Sequence, residues 1–414
     1  QVLKTDGSGT LSWTANSGSG GASSITGLSD ALVEDNSIYV GNDPSSTTST
    51  AQYNVGVGID VMNSVTTGDN NIAVGYDALT ALSTGESNIA IGSSALSSTT
   101  TGDYNTATGY RSLYANTTGN YNSATGSMSL FKNTTGYNNV AIGFWSLYEN
   151  TTGNHNTAVG RNALKENTTA EYNSAFGYGS LYSNTTGTRN IAIGISALDA
   201  ADTENDNLAI GYDALGGSIS GGEFNVAIGN YSLDALTQGD YNTAVGYNAM
   251  TSATTGAQNV AIGHEALKST TTGSANIALG REALYANTTG ISNSAIGYNA
   301  LLHNTTGDFN TATGYMSLEE VTIGDNNIAT GYKAGQGITT GTRNIAIGIS
   351  ALDAADTEND NLAIGYDALG GSVAGGEYNV AVGNYSMDAL TSGDKNTGVG
   401  YNALTALTTG SWNT

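Results

Sequence analysis

From residue 36 onward, apolar and polar positions alternate in short bursts separated by polar turns. Each burst reads Asn-x-Ala-x-Gly, as in Asn190-Ile-Ala-Ile-Gly194 and Asn139-Val-Ala-Ile-Gly143. The alternation has the period of a strand: Asn, Ala and Gly fall on one face, and the two x residues, mostly β-branched, on the other. The closing glycine recurs 22 times from Gly41 to Gly400, and 19 of the 21 intervals equal the step from Gly58 to Gly75. The exceptions, Gly211 to Gly229 and Gly365 to Gly383, are longer by a single position. Asn stands four residues before Gly in all 21 coils from Asn54 to Asn396, and Leu stands four after it in 17 of 21. A polar segment such as Asn116-Thr117-Thr118-Gly119 follows and reads as a turn, whose glycine is free to take positive φ.

A 17-residue period is too short for two helices and their turns. It fits one coil of an all-β parallel solenoid of about 22 coils. Residues 36–414 are the repetitive domain, and residues 1–35 an N-terminal connector or cap with a Ser/Gly-rich linker at 14–27. Three local expectations follow. The Ala-Leu pair after each motif glycine forms a second short strand; Leu28 to Glu34 forms one or two helical turns; Ser37 to Gly41 is a degenerate first coil that caps the stack. Stacking puts Asn on Asn and Leu on Leu at roughly 4.8 Å per coil, a rod of about 100 Å. Leu79 and its column (Leu96, Leu113, Leu130) then fill the interior, and part of the β-branched column (Ile72, Ile89, Val140) faces a neighbouring chain. The opposite assignment fits the pattern nearly as well. The apolar complement of a coil is thin, which favours chains packed side by side.

A longer repeat lies on top. Residues 187–256 match 341–410, and both copies carry an Asp-Ala-Ala-Asp-Thr-Glu-Asn-Asp insert and one 18-residue step. Its oxygen-rich side chains make Asp199, Asp202, Asp206, Asp353, Asp356 and Asp360 the candidate Ca²⁺ ligands, although the insert matches no EF-hand loop. An acidic turn is the simpler reading. Acids after turn glycines (Asp69, Asp103, Asp240, Asp308, Asp325, Asp394) read as solvated loop acids. The three histidines, His155, His264 and His303, occupy different columns and do not read as a joint metal site. Asn-Thr-Thr at Asn116, Asn133, Asn150, Asn167, Asn184, Asn287 and Asn304 satisfies the N-glycosylation pattern, but a turn explains it. An active site is a singular constellation, and regular repetition argues against one, so no catalytic or cofactor-binding residue is expected.

Composition narrows the function classes. The formal net charge is −24, from 35 acids against 11 bases, so nucleic acid and anionic membranes are poor partners. Cys is absent, which removes disulfides and thiolate chemistry. No apolar run approaches the roughly 20 residues of a membrane span. The chain starts at Gln1 and stops partway through a repeat, as expected of a fragment of a longer polypeptide. Tyr after the motif glycine (Tyr76, Tyr110, Tyr178, Tyr212) can form an exposed ladder that stacks on sugar rings, or pack at a corner or chain interface.

The Asn-x-Ala-Ile-Gly strands at 139–143, 190–194 and 259–263 resemble the coil motif of YadA-like heads of trimeric autotransporter adhesins. The resemblance covers about residues 36–414 and implies a left-handed parallel β-roll, three of which pack into a homotrimer. Coils of that family are commonly shorter, and here the Asn-Thr-Thr-Gly turn is enlarged. Gln1-Val-Leu-Lys-Thr-Asp-Gly-Ser-Gly-Thr-Leu-Ser-Trp13 looks like the connector before repeats in viral and phage tail-fibre proteins. The two resemblances together imply an extracellular, non-enzymatic fibre shaft on a virion. It would space or mediate attachment to a glycan or protein receptor on a host cell. A bacterial trimeric surface adhesin is the first alternative. An ice-binding solenoid, suggested by stacked Thr, is the second, and a polysaccharide-degrading fibre with paired carboxylates in a groove is a third.

Overall fold

The computed structural model describes residues 2–5, 11–14, 31–34, 36–41, 44, 46–371 and 375–414. The chain forms two units, Gln1–Arg189 and Asn190–Thr414. The described residues are all-β, with one three-residue strand per 17-residue coil. In the first unit, β1 (Val2–Thr5) and β2 (Leu11–Thr14) form an antiparallel pair. β3 (Ala31–Glu34) runs antiparallel to β4 (Ser37–Val40). The expected helical turn at 28–34 is therefore a strand over 31–34, because its backbone groups pair with the free edge of β4. Residues 28–30 lie outside the described residues, as does most of the expected linker. β4 opens a parallel ladder through β5 (Val55–Val57) that runs to β12 (Ser174–Phe176). The second unit repeats the arrangement from β13 (Ile191–Ile193) to β25 (Thr397–Val399).

Register is set by like on like. Ala141 lies between Ala124 and Ala158, and Val140 between Ser123 and Thr157. The central Ala is fully buried and the flanking residues point outward, so the Ala and Leu columns fill the interior and the β-branched column lies at the surface. Leu79, Leu96, Leu113 and Leu130 are fully buried, as expected. The motif glycines are stacked so closely that a Cβ on Gly143, at φ 132°, would lie 2.6 Å from the carbonyl oxygen of Gly160. That backbone region is essentially closed to other residues.

Asn forms the internal ladder. The Asn122 amide nitrogen and its Nδ2 both donate to Asn105 Oδ1, at 3.0 and 3.2 Å, and Nδ2 also donates to Gly136 O at 2.8 Å. In the first unit the ladder begins at Ser37, whose hydroxyl accepts from Asn54 N.

The Ala-Leu pair does not form a second strand. The Leu and Met residues of this column take left-handed backbone angles, φ between 48° and 54°. Each costs roughly 1–2 kcal/mol for an L residue. Burial of the side chain and a satisfied amide offset it: Leu113 N–H donates to Ser129 O in the next coil at 2.9 Å. Such strain leaves no mark in the sequence, since Leu is not a turn residue.

Candidate functional site

Two left-handed residues per corner decide which side chains reach the surface. After most motif glycines, positions one, two and five reach the surface while positions three and four are buried; Ser94, Ser97, Gly179, Asn299 and Glu319 are buried exceptions at positions two and five. Coil upon coil this makes three adjacent outward ranks. In the first unit, between residues 110 and 182, the ranks hold aromatic and basic side chains. Tyr114, Phe131 and Tyr148 stack face to face, with centroids 5.2 and 5.1 Å apart and planes within 11°. Trp145 packs on Phe144 at 4.5 Å and lies 5.8 Å from Tyr148, and its Nε1–H meets Met128 Sδ at 3.3 Å.

The cations interleave with these rings. The Arg111 guanidinium is 5.1 Å from the Tyr110 centroid and 5.4 Å from that of Tyr114. Lys165 Nζ is 5.5 Å from the Trp145 ring and 4.6 Å from that of Tyr182, whose hydroxyl it also meets. That hydrogen bond raises the Lys165 pKa above its ordinary value, against a small loss of solvation. Arg161 lies 5.6 Å from the Phe144 centroid. Lys132 pairs with Glu149 at 2.5 Å. Within 110–182 four basic residues face three acidic ones, in a chain with 11 against 35. Two polar atoms on this face, Arg111 Nε and Asn162 Oδ1, are buried without a hydrogen-bond partner. The arrangement offers flat π-faces, fixed positive charge and two unused polar groups. Flat π-faces and fixed positive charge are the chemistry of binding.

The Tyr column singled out from sequence is exposed: Tyr76 57%, Tyr110 45%, Tyr178 51% and Tyr212 44%. The second unit carries its own stack, Tyr298–Tyr315–Tyr332, at 5.1 and 5.3 Å.

The repeated Asn-Thr-Thr segments bend the chain with their Asn side chains turned inward. All seven Asn side chains are fully buried. Asn150 Nδ2 donates to Asn133 Oδ1 at 2.8 Å and to Gly153 O at 3.0 Å. A glycan cannot be accommodated on such an amide in the folded chain. The first Thr is likewise engaged: Thr134 Oγ1–H donates to Thr151 O at 3.0 Å, and the same tie recurs along the column. The turn acids also have a structural task, since Asp103 Oδ1 accepts Glu86 N–H at 2.8 Å and Asp325 Oδ1 accepts Asp308 N–H at 2.7 Å.

Among the described residues, no three of the six candidate Ca²⁺ ligands bring their carboxylate oxygens within 4.8 Å of one another. Burial first, then the Asp213 charge, pushes the Asp199 carboxyl above its ordinary pKa, and Asp353 is shifted the same way by burial and by Asp367. Asp356 accepts from Thr339, and Asp360 is held by two 2.7 Å bonds from Arg343 that lower its pKa. Asp202 gives its N–H to Glu204, and Asp206 sits in a left-handed backbone position, φ 59°. The insert's distinctive residue is instead Glu204, 3% exposed, whose carboxylate accepts the N–H groups of Asp202, Thr203 and Gly221 at 2.9, 3.0 and 3.0 Å. Gly221 belongs to the 18-residue coil. Glu358 does the same with Asp356, Thr357 and Gly375. The insert and the longer coil occur together in both copies because one satisfies the other.

In the second unit, Glu265, Glu282, Tyr285, Ala286, Leu302 and His303 line a pocket of about 310 Å³. Its two carboxylates, one coil apart in a single column, were not singled out from sequence. Hydrolysis of a glycoside by such a pair needs one carboxyl held protonated. The Lys268 hydrogen bond instead lowers the Glu265 pKa, and Arg281 holds Glu282 by two bonds of 3.0 and 2.8 Å.

Among the described residues, no helix is long and apolar enough to cross a membrane. The chain matches no protein-family model, no curated protein and no solved structure in the comparisons made.

Proposed function

We propose that the chain is a shaft segment of an extracellular, non-enzymatic attachment fibre on a virion, and that its aromatic–cationic face contacts host-surface glycan. The observation that carries this reading is the set of stacked rings and cations between Tyr110 and Tyr182, where bases outnumber acids in an otherwise acidic, repetitive chain. Sugar rings stack on aromatic faces, and the interleaved Arg and Lys favour a glycan bearing carboxylate or sulfate. The coils are read as a left-handed roll in a homotrimer. Support for the trimer comes from the outward strand ranks, where Ile91, Ile142 and Phe176 are each about 40% exposed in the first unit, as are Ile191, Ile262 and Ile328 in the second. Exposed aliphatic ranks of this kind, here interrupted by Thr108, Thr125, Thr313 and Thr330, mark association surfaces.

A bacterial surface adhesin shares every one of these features and differs only in what anchors the shaft. Ice binding is less well supported. The first Thr hydroxyl of each pair is spent on a neighbouring coil, and both outward strand positions are Thr only at Thr106–Thr108 and Thr311–Thr313 among the described strands.

Two measurements test the proposal. Light scattering should give about 126 kDa, three chains of 41.9 kDa; a value of one chain removes the trimer. Binding to immobilised glycans should favour acidic ones and fall at least tenfold in Trp145→Ala. Equal binding of acidic and neutral glycans, unchanged by Trp145→Ala, rejects the assigned face.

A further inference from the structure

The second unit contains a cluster of a different chemistry from the face described above. His264, Glu265 and Glu282 each bring one ligand atom within 4.8 Å of the others. We propose that these three side chains form a binding site for one divalent transition-metal ion, with Zn²⁺ as its probe.

Position in the repeat explains how the cluster arises. His264 and Glu265 are the first and second residues after Gly263, and Glu282 is the second after Gly280. The left-handed backbone at Glu265 (φ 58°) and Glu282 (φ 57°) turns both carboxylates to the same corner, one coil apart. His264 then stands beside the pair, its Nδ1 4.0 Å from Glu265 Oε2. Its ring is fixed by stacking on Tyr247, centroids 5.5 Å apart.

The surrounding contacts orient the ligands and leave them available. Glu265 Oε1 accepts from Lys268 at 2.8 Å and from Asn248 at 3.5 Å. Glu282 Oε1 accepts both Arg281 Nε and Nη2. One oxygen of each carboxylate is thus held, and among the described residues Oε2 of each accepts no hydrogen bond. This is the division of labour seen around bound metals, where outer partners fix the ligand that coordinates. In the next coil of the same column, Asn299 turns away to Glu319, donating from Nδ2 to its Oε1 at 3.2 Å, and so does not compete for the Glu282 carboxylate. The pocket lined by Glu265, Glu282 and His303 gives access and room for water or an exogenous ligand on the ion. One imidazole nitrogen and two carboxylate oxygens suit Zn²⁺ and its first-row neighbours; an imidazole is a poor ligand for Ca²⁺.

The experiment is calorimetric titration of the full chain with Zn²⁺ in chelator-free buffer. One ion per chain is expected. His264→Ala and Glu282→Gln should each weaken binding at least tenfold with circular dichroism unchanged, since Gln keeps the acceptor for Arg281. His303→Ala, in the pocket wall, should change affinity less than threefold. Ca²⁺ titrated alone should bind at least tenfold more weakly than Zn²⁺. The proposal is overturned by the absence of saturable Zn²⁺ uptake, by a site that survives both His264→Ala and Glu282→Gln, or by Ca²⁺ binding as tightly as Zn²⁺.

Discussion

Coils of one architecture fill the same interior corner in two opposite ways. Seven residues after the motif glycine, a run of coils in the first unit places Asn116, Asn133, Asn150, Asn167 and Asn184, and two coils of the second place Asn287 and Asn304, all fully buried. At that position other coils place aliphatic residues: Val65 and Leu82 in the first unit, and Leu236, Ala253, Val321, Ile338 and Ala355 in the second, with Ile219 one residue later in the longer coil. The local backbone is the same in both: Asn150 N–H donates to Leu147 O at 3.3 Å, and Leu236 N–H to Leu233 O at 3.1 Å. The corner therefore does not specify the fold. What it favours is completeness: an amide paired along the stack, with an unpaired Oδ1 only at the run ends Asn184 and Asn304, or an aliphatic chain that has no group to satisfy. A fully paired polar network and an apolar filling are both acceptable in a core, and a half-paired network is not.

The largest effect should fall on the column both regions share. Leu147→Ala beside the amide corner and Leu233→Ala beside the aliphatic corner each remove a fully buried side chain. Each should cost about 3–4 kcal/mol. Coupling between coils is to nearest neighbours, so native-state hydrogen exchange should speed in adjoining coils and stay unchanged several coils away. A cost twice as large in one region as in the other would mean that the corner filling sets the strength of the whole coil.

Exchanging the corners should cost somewhat less. Asn150→Leu strands Asn133 Oδ1 and takes from Asn167 Nδ2 its 2.7 Å acceptor, while Gly153 O keeps only its 2.8 Å donor from Asn139 Nδ2. Leu236→Asn gives an amide that can reach Gly239 O, as Asn116 reaches Gly119, but its Oδ1 faces Ala253. Both changes should destabilise by about 2–3 kcal/mol, the cost of buried polar groups left unpaired. Chemical denaturation followed by exchange at the altered coil measures it. If either exchange is neutral, the two fillings are interchangeable coil by coil and the comparison fails.

The solenoid, its period, the Asn ladder and the Leu column were legible because each repeats in register, and a repeated column can only be stacked. The amide corner was misread for an instructive reason. Asn-Thr-Thr-Gly taken alone has the composition of a solvated turn, yet Val65, Leu82, Leu236 and Leu390 occupy the same offset in other coils. An aliphatic residue sharing a column with Asn is the sign of a buried position. The left-handed Leu had no such sign, since nothing in its chemistry asks for positive φ; Gly335, at φ 60° in the one coil without Leu or Met, is the sole hint. The His264 cluster was missed because the histidines were compared with one another. Aligned by column, Glu265 and Glu282 already stand in successive coils with His264 beside them.

The smallest effect is the sharpest test of completeness, because it turns on a single atom. Asn304 ends an amide run: its Nδ2 donates to Asn287 Oδ1 and Gly307 O, both at 3.0 Å, while its own Oδ1 is buried without a partner. The next residue in the column is Val321, fully buried. Thr is nearly isosteric with Val and brings one hydroxyl donor. Val321→Thr places that donor against the orphaned oxygen, so the ordinary penalty for burying a hydroxyl is offset. Thr already stands at the other end of such runs, where Thr99 and Thr270 accept from Asn116 and Asn287 at 3.4 and 3.5 Å. Val65→Thr makes the same change where the next residue in the column is Leu82, and its hydroxyl gains no amide. Val65→Thr should cost about 1–2 kcal/mol, and Val321→Thr should lie within about 0.5 kcal/mol of the parent chain. Equal penalties at the two sites would show that the missing partner of Asn304 carries no energetic weight. The contrast between paired amide and aliphatic filling would then be one of composition alone.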